Sequence, residues 1–362
     1  MRVKIKELQE GCILSEDVIS WTNRPIIQKK TVLTNELLEI LHAFLVKDVS
    51  VERMLVNGTP FIPSELIEEE KESEKESNKK EESFTDYFLQ AVQQYKKEFQ
   101  AWQAGTTVDI SKIRNIIIPL IEKSETRSSD LFNLHHLSTE NEYLFQHSIA
   151  VGLISGFIGK KLNYNKGDIA QLAVAGCLSD CGMAKIPSNI LNKKDALTRD
   201  EFEEVKQHPT YSYRMIQNAT LLRDGAKISI FQHHERLDGT GYPLGEKDQK
   251  IHPFAKIIAV ADTFHAMTSQ RMYRKKQSPF KVLEMIIQDN FGKFDIASIR
   301  ALQAGIMNFS IGSKVKLSNG QIAEILFIEE KSPTRPLIKL THSEEIIHLE
   351  KNRQLFIDEI LE

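Results

Sequence analysis

The stretch FQHHERLDGTGYP, Phe231–Pro243, places two adjacent histidines before a carboxylate and a glycine-rich turn that ends in proline. Adjacent residues of an α-helix point about 100° apart, so two neighbouring histidines reach one ion only where a helix ends. The segment LDGTGYP supplies such an end. The stretch therefore predicts either a site for metal and phosphate that includes His233 and His234, or a helix end whose polar residues face water.

Length and composition predict a folded cytoplasmic protein of two or three domains. The chain has 362 residues, 41% of them hydrophobic, and its formal net charge of −3 does not indicate DNA or RNA as a partner. Its three cysteines lack the paired spacing of a disulfide framework, which favours a reducing compartment. The N-terminus lacks the apolar core of a signal peptide, and no apolar run approaches the ~20 residues of a membrane helix. We therefore expect no membrane association.

Changes in hydrophobic period divide the chain into five segments. Strand-like and helical patterns mix in residues 1–62, where Thr34 is a candidate helix N-cap, so this segment is predicted to be a small α+β unit. Residues 63–83 are almost all Glu, Lys and Ser, which favours a solvated linker, with a solvated helix as the alternative. Residues 84–126 have the spacing of a helical connector, whose first helix could pair between chains in an oligomer or pack on its own domain.

The two remaining segments differ in period. Helical spacing dominates residues 127–308, which predicts an all-helical main domain. Residues 309–362 alternate in polarity on both sides of an Asn319–Gly320 turn, which predicts a small β-rich unit. The expected fold class is therefore mainly α, with a helical bundle between a small N-terminal α+β unit and a small C-terminal β unit.

Histidines and aspartates recur in otherwise apolar stretches of the main domain. His147 lies within YLFQHSIAVGLISGFI, Asp180 follows AVAGCLS, and Asp262 follows IIAVA. A buried bare carboxylate costs several kcal/mol unless it is paired or binds a metal, and the histidines are natural partners. Imidazole and carboxylate together suit Fe, Mn, Zn or similar divalent ions. Taken singly, a buried histidine is more often a hydrogen-bonded core residue, and Asp180 before Gly182 could be only a helix C-terminal feature.

Ordered motifs between residues 127 and 308 resemble the HD-GYP family, a branch of the HD metal-dependent phosphohydrolases. The signature is HHERLDGTGYP, and five further segments occur in the family's order: YLFQHS, LSDCGMAKIPSNIL, VKQHPTYSYRMI, IIAVADTFHAMTSQRMYRK and GKFDIASIRAL. The resemblance implies an HD-type helical bundle that holds two divalent metal ions, with Fe or Mn favoured over Zn or Mg. The metal ligands that it implies are His147, Asp180, His208, His233, His234 and Asp262.

The resemblance also implies an activity, which is hydrolysis of cyclic di-GMP to linear pGpG, GMP or both. Asp180 is the implied catalytic residue, because it would bridge the two ions that activate water for attack on the phosphodiester. The implied substrate contacts are Gly239, Gly241, Tyr242, Pro243, Arg271 and Arg274. Arg274 lies in the basic run RKK and could equally be a solvated charge. The loop around Gly241 is also a candidate face for signalling protein partners.

Two positions depart from the family pattern. Ser179 stands where the family has the histidine of its His-Asp pair, and Met183 stands where it has a lysine that contacts phosphate. One inferred metal position, made by Asp180, His208, His233 and His234, is intact, whereas the position that His147 and Asp262 share with Asp180 lacks a ligand. Lys185 is predicted to point elsewhere. By analogy with the loss of one oxyanion donor, the defect costs roughly 3–4 kcal/mol of transition-state stabilisation.

Several alternatives stay open at this point. His265 is either a substitute ligand or a residue outside the ligand set, and Cys177 and Cys181 are either ligands or small buried hydrophobes. The adjacent pair His135–His136 is interpreted as a solvated helix end. The chain is therefore a phosphodiesterase with an impaired centre, a sensor of the dinucleotide or a partner without turnover, or a phosphohydrolase of another substrate.

Overall fold

The structure is a computed structural model that describes residues 1–19, 25–65, 83–124, 128–269, 277–288, 292–307, 309–329 and 331–361. It is mainly α-helical, as the sequence predicts, with small strand units before and after the helices. None of the helices within these ranges is both long and apolar enough to cross a bilayer.

The helices and strands follow the chain in three groups. The α-helices are α1 (Asn35–Ala43), α2 (Phe84–Gln103), α3 (Ile110–Ser124), α4 (Ser128–Phe132), α5 (Tyr143–Lys161), α6 (Lys166–Leu178), α7 (Ser188–Leu191), α8 (Arg199–Val205), α9 (His208–Ile216), α10 (Asp224–Gln232), α11 (Pro253–Thr268), α12 (Pro279–Gln288) and α13 (Ile296–Ile306). The strands are β1 (Arg2–Lys4), β2 (Val18–Ile19), β3 (Pro25–Ile27), β4 (Asp48–Ser50), β5 (Lys314–Leu317), β6 (Ile322–Phe327), β7 (Leu337–Leu340), β8 (Ile346–His348) and β9 (Ile357–Leu361).

The N-terminal strands form two small antiparallel pairs, β1 with β4 and β2 with β3. Helix α1 begins at the predicted cap, where Thr34 Oγ1 accepts a hydrogen bond from the Leu37 amide at 3.3 Å. This part of the chain has a hydrophobic core of its own, which includes Leu14, Leu33 and Leu41. Most of the predicted charged linker, residues 66–82, lies outside the described residues.

Helices α5 and α6 form the centre of the bundle, and both are buried along most of their length. Helix α11 packs on α5 and α10, while α2 and α3 pack on the outer side of the α5–α6 pair. Tyr95, Phe99 and Trp102 of α2 pack into the hydrophobic core, and all three are fully buried. Helix α9 packs on α10 and on residues 181–185, the short 3-10 turn that follows α6.

The C-terminal strands form one antiparallel sheet in the order β8-β7-β6-β5-β9. The predicted hairpin at Asn319–Gly320 joins β5 and β6, but the edge strand β9 was not predicted. A buried ion pair joins this sheet to α12, since Arg335 contacts the Glu284 carboxylate at 2.5 and 2.7 Å. Arg335 also donates to the carbonyl oxygen of Leu355 at 2.6 Å.

Candidate metal centre

Four predicted ligands converge in one pocket, here named the four-residue pocket (Asp180, His208, His233 and His234). Asp180 lies just beyond α6, His208 begins α9, and the histidine pair follows the last residue of α10. Asp180 Oδ1 lies 3.2 Å from His208 Nε2 and 3.5 Å from His233 Nε2. Potential ligand atoms of all four residues lie within 4.8 Å of one another, so the pocket could hold one ion.

Backbone carbonyls fix the orientation of two histidines in this pocket. His208 Nδ1 lies 2.7 Å from the Val205 carbonyl oxygen, and His233 Nδ1 lies 2.7 Å from the Ile230 carbonyl oxygen. A carbonyl only accepts, so each Nδ1 carries the proton, and in the neutral ring each Nε2 keeps a lone pair. The two Nε2 atoms lie 3.3 Å apart. Two lone pairs facing each other at this distance fit a bound divalent cation.

The second group of converging atoms is the three-residue pocket (His147, Asp180 and Asp262). His147 is buried on α5, and its Nε2 lies 2.9 Å from Asp262 Oδ1 and 3.5 Å from Asp180 Oδ2. Asp180 thus turns one carboxylate oxygen toward each pocket. Across the boundary, His234 Nδ1 lies 3.7 Å from Asp262 Oδ2. The shared carboxylate gives the two pockets the arrangement in which one residue could bridge two ions.

The electrostatics of the site favour the protonation states that cations require. Burial acts to raise the pKa of Asp180, but the close imidazoles of His208 and His233 outweigh it and hold that pKa well below its usual range. Burial likewise opposes a lower pKa for Asp262, but the His147 imidazole 2.9 Å away outweighs it and lowers that pKa. Burial, helped by the neighbouring His233, lowers the pKa of His234 well below its usual value. The carboxylates are therefore ionised and His234 is neutral at pH 7.

A serine that the sequence reasoning missed holds the Asp180 turn against α9. Ser212 Oγ donates to the Ser179 carbonyl oxygen at 2.7 Å and accepts from the Gly182 amide at 2.7 Å. A Cβ atom at Gly182 would lie 2.2 Å from the His208 carbonyl oxygen, so only glycine permits this approach. The turn and the helix therefore place Asp180 and His208 as one unit.

The two residues that depart from the family pattern point away from ligand roles. Ser179 is buried, and its hydroxyl donates to the Gly176 carbonyl oxygen of its own helix at 2.7 Å. Met183 is partly buried and packs against the hydrophobic core. Lys185 donates to the Trp102 carbonyl oxygen at 2.8 Å, in agreement with the expectation that it points elsewhere.

The loop after the histidine pair folds back over it. Gly239 donates its amide to the Arg236 carbonyl oxygen at 2.8 Å. A Cβ atom at Gly241 would lie 2.4 Å from the His234 carbonyl oxygen, which requires glycine there. The Tyr242 ring stacks on the His234 imidazole with centroids 4.6 Å apart, and a cis peptide bond leads from Tyr242 to Pro243. Of the predicted substrate contacts, Gly241 and Tyr242 therefore lie against His234 of the four-residue pocket, whereas Gly239 and Pro243 belong to the same loop.

Two carboxylates of the signature hold this loop rather than facing the ion pockets. Glu235 accepts hydrogen bonds from the amides of Leu244 and Glu246 at 2.7 and 2.9 Å. Asp238 Oδ1 accepts from the Thr240 amide and hydroxyl at 3.0 and 2.7 Å, as is typical of an aspartate in a turn. The remaining predicted substrate contacts, Arg271 and Arg274, lie outside the described residues.

The structure decides among the open alternatives. Within the described part of the chain, neither Cys177 nor Cys181 joins a group of converging ligand atoms, and burial raises the pKa of the Cys181 thiol to about 12. These cysteines are buried hydrophobes. The prediction of a solvated helix end at His135 was wrong, because this residue is 7% exposed and its Nδ1 lies 2.9 Å from the Phe132 carbonyl oxygen. Short-range sequence pattern carries no signal for that burial.

His265 lies beside the centre and outside both pockets of the described residues. Its Nδ1 lies 3.0 Å from Nδ1 of His147, on the ring edge opposite the atoms that face Asp180 and Asp262. The side chain is 2% exposed. The possibility of His265 as a substitute ligand is therefore not supported by its position.

Comparisons with known proteins agree with the sequence motifs. Residues 132–297 match a family model described as an HD domain. Cyclic di-GMP phosphodiesterases from Pseudomonas aeruginosa and Borreliella burgdorferi are 29% and 30% identical over 68% and 54% of this chain. A cyclic di-GMP phosphodiesterase from Thermotoga maritima is 40% identical over 36% of the chain. The alignments cover 59%, 52% and 35% of these relatives, so the chain spans about half of their length or less.

A solved HDG"Y"P protein from Bdellovibrio bacteriovorus resembles the structure with a TM-score of 0.49 and 13% sequence identity. That match covers 84% of this chain and 98% of the other.

Proposed function

We propose that the chain is a metal-dependent phosphodiesterase of the HD-GYP family that hydrolyses cyclic di-GMP, because residues 132–297 match an HD domain and similar proteins are cyclic di-GMP phosphodiesterases. The observation that carries the proposal is the pair of adjoining pockets that share Asp180. The expected products are linear pGpG, GMP or both. The helical domain, residues 127–308, would carry the chemistry, and the flanking units 1–62 and 309–362 would carry regulatory contacts.

The residues present fit two divalent ions, with Fe or Mn favoured. The four-residue pocket would hold one ion through three imidazoles and a carboxylate, and the three-residue pocket would hold the other through two carboxylates and one imidazole. When bound, such ions supply a low-pKa water as nucleophile and neutralise the charge that develops on phosphate oxygens. Asp180 would hold both ions at a fixed separation, which makes it the residue on which turnover depends most.

The substrate would lie against the loop that carries Tyr242, which already stacks on a proposed ligand. The Lys206 ammonium group lies 5.8 Å from the Tyr242 ring centroid and 5.2 Å from the exposed Phe202 ring. Lys206 also pairs with Glu203 at 2.9 Å and keeps 30% of its side-chain exposure. This cation would take over part of the phosphate contact that Met183 cannot make. Arg271 and Arg274 remain proposed substrate contacts.

The neighbouring loop surface is the proposed face for signalling proteins. It carries Leu244, which is 62% exposed beside the cis proline. Since an exposed large apolar residue at a functional loop is typical of contact surfaces, a partner would bind there while the substrate occupies the inner side.

A second candidate function rests on the degenerate pair. The Ser179 hydroxyl is already engaged with its own helix, so the three-residue pocket lacks a fourth side-chain ligand from that position. A chain with one strong and one weak ion pocket could bind the dinucleotide, or a partner, with little turnover. In that case it would act as a sensor.

The test combines metal analysis with turnover. Purified protein is analysed for bound metal, and is then incubated with cyclic di-GMP and Mn²⁺ or Fe²⁺ while products are separated by chromatography. Two ions per chain and a linear dinucleotide or GMP support the phosphodiesterase. Binding of cyclic di-GMP without product favours the sensor. Absence of metal, binding and product would refute both.

A further inference from the structure

The two ion pockets differ in the group that contacts Nδ1 of their histidines, the ring nitrogen that is turned away from the aspartates. In the four-residue pocket, carbonyl oxygens of Val205 and Ile230 face the Nδ1 atoms of His208 and His233. In the three-residue pocket, the corresponding atom of His147 faces Nδ1 of His265 at 3.0 Å. A carbonyl accepts only, whereas an imidazole nitrogen either accepts or donates. The first arrangement therefore fixes one tautomer, and the second does not.

The contact between the two imidazoles allows two proton arrangements. In one, His147 carries its proton on Nε2 and donates to Asp262 at 2.9 Å, while His265 donates to His147 Nδ1. In the other, His147 carries the proton on Nδ1 and donates to His265, which leaves the Nε2 lone pair facing the carboxylates. Only the second arrangement lets His147 bind a cation through Nε2. The tautomer of His265 therefore decides whether the pocket can bind its ion.

We propose that His265 is a positioning residue that sets the tautomer of His147 and thereby the cation affinity of the three-residue pocket. This inference rests on the metal centre of the proposed function. It follows from side-chain placement, since His265 comes three residues after Asp262 on α11 and so shares its helix face. His265 acts through another side chain and contacts neither substrate nor ion.

The surroundings of His265 hold its ring against His147. Ser269 Oγ lies 3.3 Å from Nδ1 and 3.4 Å from Nε2 of the ring, so its hydroxyl can accept from Nε2 when Nδ1 accepts from His147. The Tyr143 ring stacks on His147 with centroids 5.1 Å apart and lies 6.5 Å from His265. The His265 side chain is 2% exposed, so bulk water does not replace the contact.

The experiment titrates metal-free protein with Mn²⁺ and compares three variants. His265→Asp only accepts at this position, His265→Asn accepts or donates, and His265→Leu does neither. We expect His265→Leu to weaken the lower-affinity Mn²⁺ site by about 10- to 100-fold and to leave the higher-affinity site unchanged. His265→Asp is expected to bind Mn²⁺ at the lower-affinity site at least as tightly as the wild type. The affinity of His265→Asn should lie between those of His265→Asp and His265→Leu. His135→Leu is the matched control, because it removes another buried histidine outside the centre.

The outcomes separate this inference from the proposed function. Unchanged affinity of the lower-affinity site in His265→Leu would overturn the inference, and so would an equal loss at both sites. If His265→Leu does not fold, the Mn²⁺ affinities of the wild type, His265→Asp and His265→Asn are compared at the lower-affinity site instead. Equal affinities in all three would overturn the inference. A wild-type protein that binds no Mn²⁺ would refute the metal centre itself. A protein that binds Mn²⁺ without hydrolysing cyclic di-GMP would refute only the phosphodiesterase, since the readout here is metal affinity.

Discussion

The two ion pockets share one carboxylate but differ in the number of their imidazoles and in the groups that fix those rings. The four-residue pocket has three imidazoles, two of them fixed by backbone carbonyls that cannot change their hydrogen-bonding role. The three-residue pocket has one imidazole, and its partner is another imidazole. The Ser179 hydroxyl, at the position where the family resemblance implies a further ligand, bonds to its own helix. Side chains fixed by backbone atoms should bind a cation without further adjustment, whereas the three-residue pocket should depend on the tautomer of His265.

In the proposed two-ion centre, loss of one ligand would therefore not affect both ions evenly. The four-residue pocket should keep its ion, and the three-residue pocket should determine how fast the chain turns over substrate. Binding and catalysis would then respond to different substitutions. The predictions below test that separation, beginning with the change that should remove both pockets.

Asp180→Asn is expected to have the largest effect, because Asp180 is the carboxylate that belongs to both pockets of the described chain. Metal content should fall below one ion per chain, and turnover of cyclic di-GMP should fall by roughly 1,000-fold or more. Elemental analysis and product chromatography measure the two effects. Asp224→Asn, on a fully exposed aspartate of α10, is the control and should change neither. Two retained ions in Asp180→Asn would contradict the bridging role.

Single-histidine variants should separate the pockets from each other. His208→Ala should weaken the higher-affinity ion by ~100-fold, whereas His147→Ala should abolish only the lower-affinity ion. The reason is that each histidine faces a different oxygen of Asp180. Calorimetric titration of metal-free protein with Mn²⁺ distinguishes two binding steps. Identical titration curves for the two variants would show that the pockets are not independent.

Ser179→His should move the weaker pocket toward the stronger one. An imidazole at this position would add the missing ligand, so we expect a second ion to be retained through purification and turnover to rise by about 10-fold. Addition of Met183→Lys should raise it further, through a phosphate contact. The change replaces a buried hydroxyl that is already hydrogen-bonded, so thermal stability is measured beside activity. No gain in a stably folded double variant would count against the defect proposed for this centre.

Lys206→Met should have the smallest effect and should spare the metal. Loss of a partly exposed cation near Tyr242 is expected to raise the KM for cyclic di-GMP by roughly 3- to 10-fold. Metal content should not change, because Lys206 faces the rings and not the ligand atoms. Lys227→Met is the control, because this ammonium group contacts the Gln217 carbonyl oxygen and Asp224 rather than the rings near Tyr242. A change in metal stoichiometry would argue against a substrate contact.

Local features of the fold were predictable from the sequence because they depend on neighbouring residues. The cap at Thr34 and the hairpin at Asn319–Gly320 are examples, and both are confirmed. The convergence of six proposed ligands was predicted from the ordered motifs of a family. No local rule relates His147 to Asp262 across 115 positions. The last strand, β9, was missed because it pairs with β5 and not with its chain neighbour.

The contacts that distinguish the two pockets were not predictable for a related reason. The His147–His265 contact spans 118 positions, and the Ser212 contacts with the Asp180 turn span about 30. Serine and histidine occur in many helices without such roles, so neither residue type marks its own partner. The glycine at 182 carried a signal, because a small residue after an aspartate suggests close approach of another backbone.

The Arg335–Glu284 ion pair has a consequence for any shortened form of this protein. Both side chains are buried, and the arginine comes from the segment between β6 and β7 while the glutamate lies on α12. A chain that ends before the C-terminal sheet would lose Arg335 and leave Glu284 with only Lys281, 3.5 Å away on its own helix, as a counter-charge. The sheet is therefore expected to melt together with the bundle, in a single calorimetric transition, and its removal should lower the melting temperature of the helices that remain.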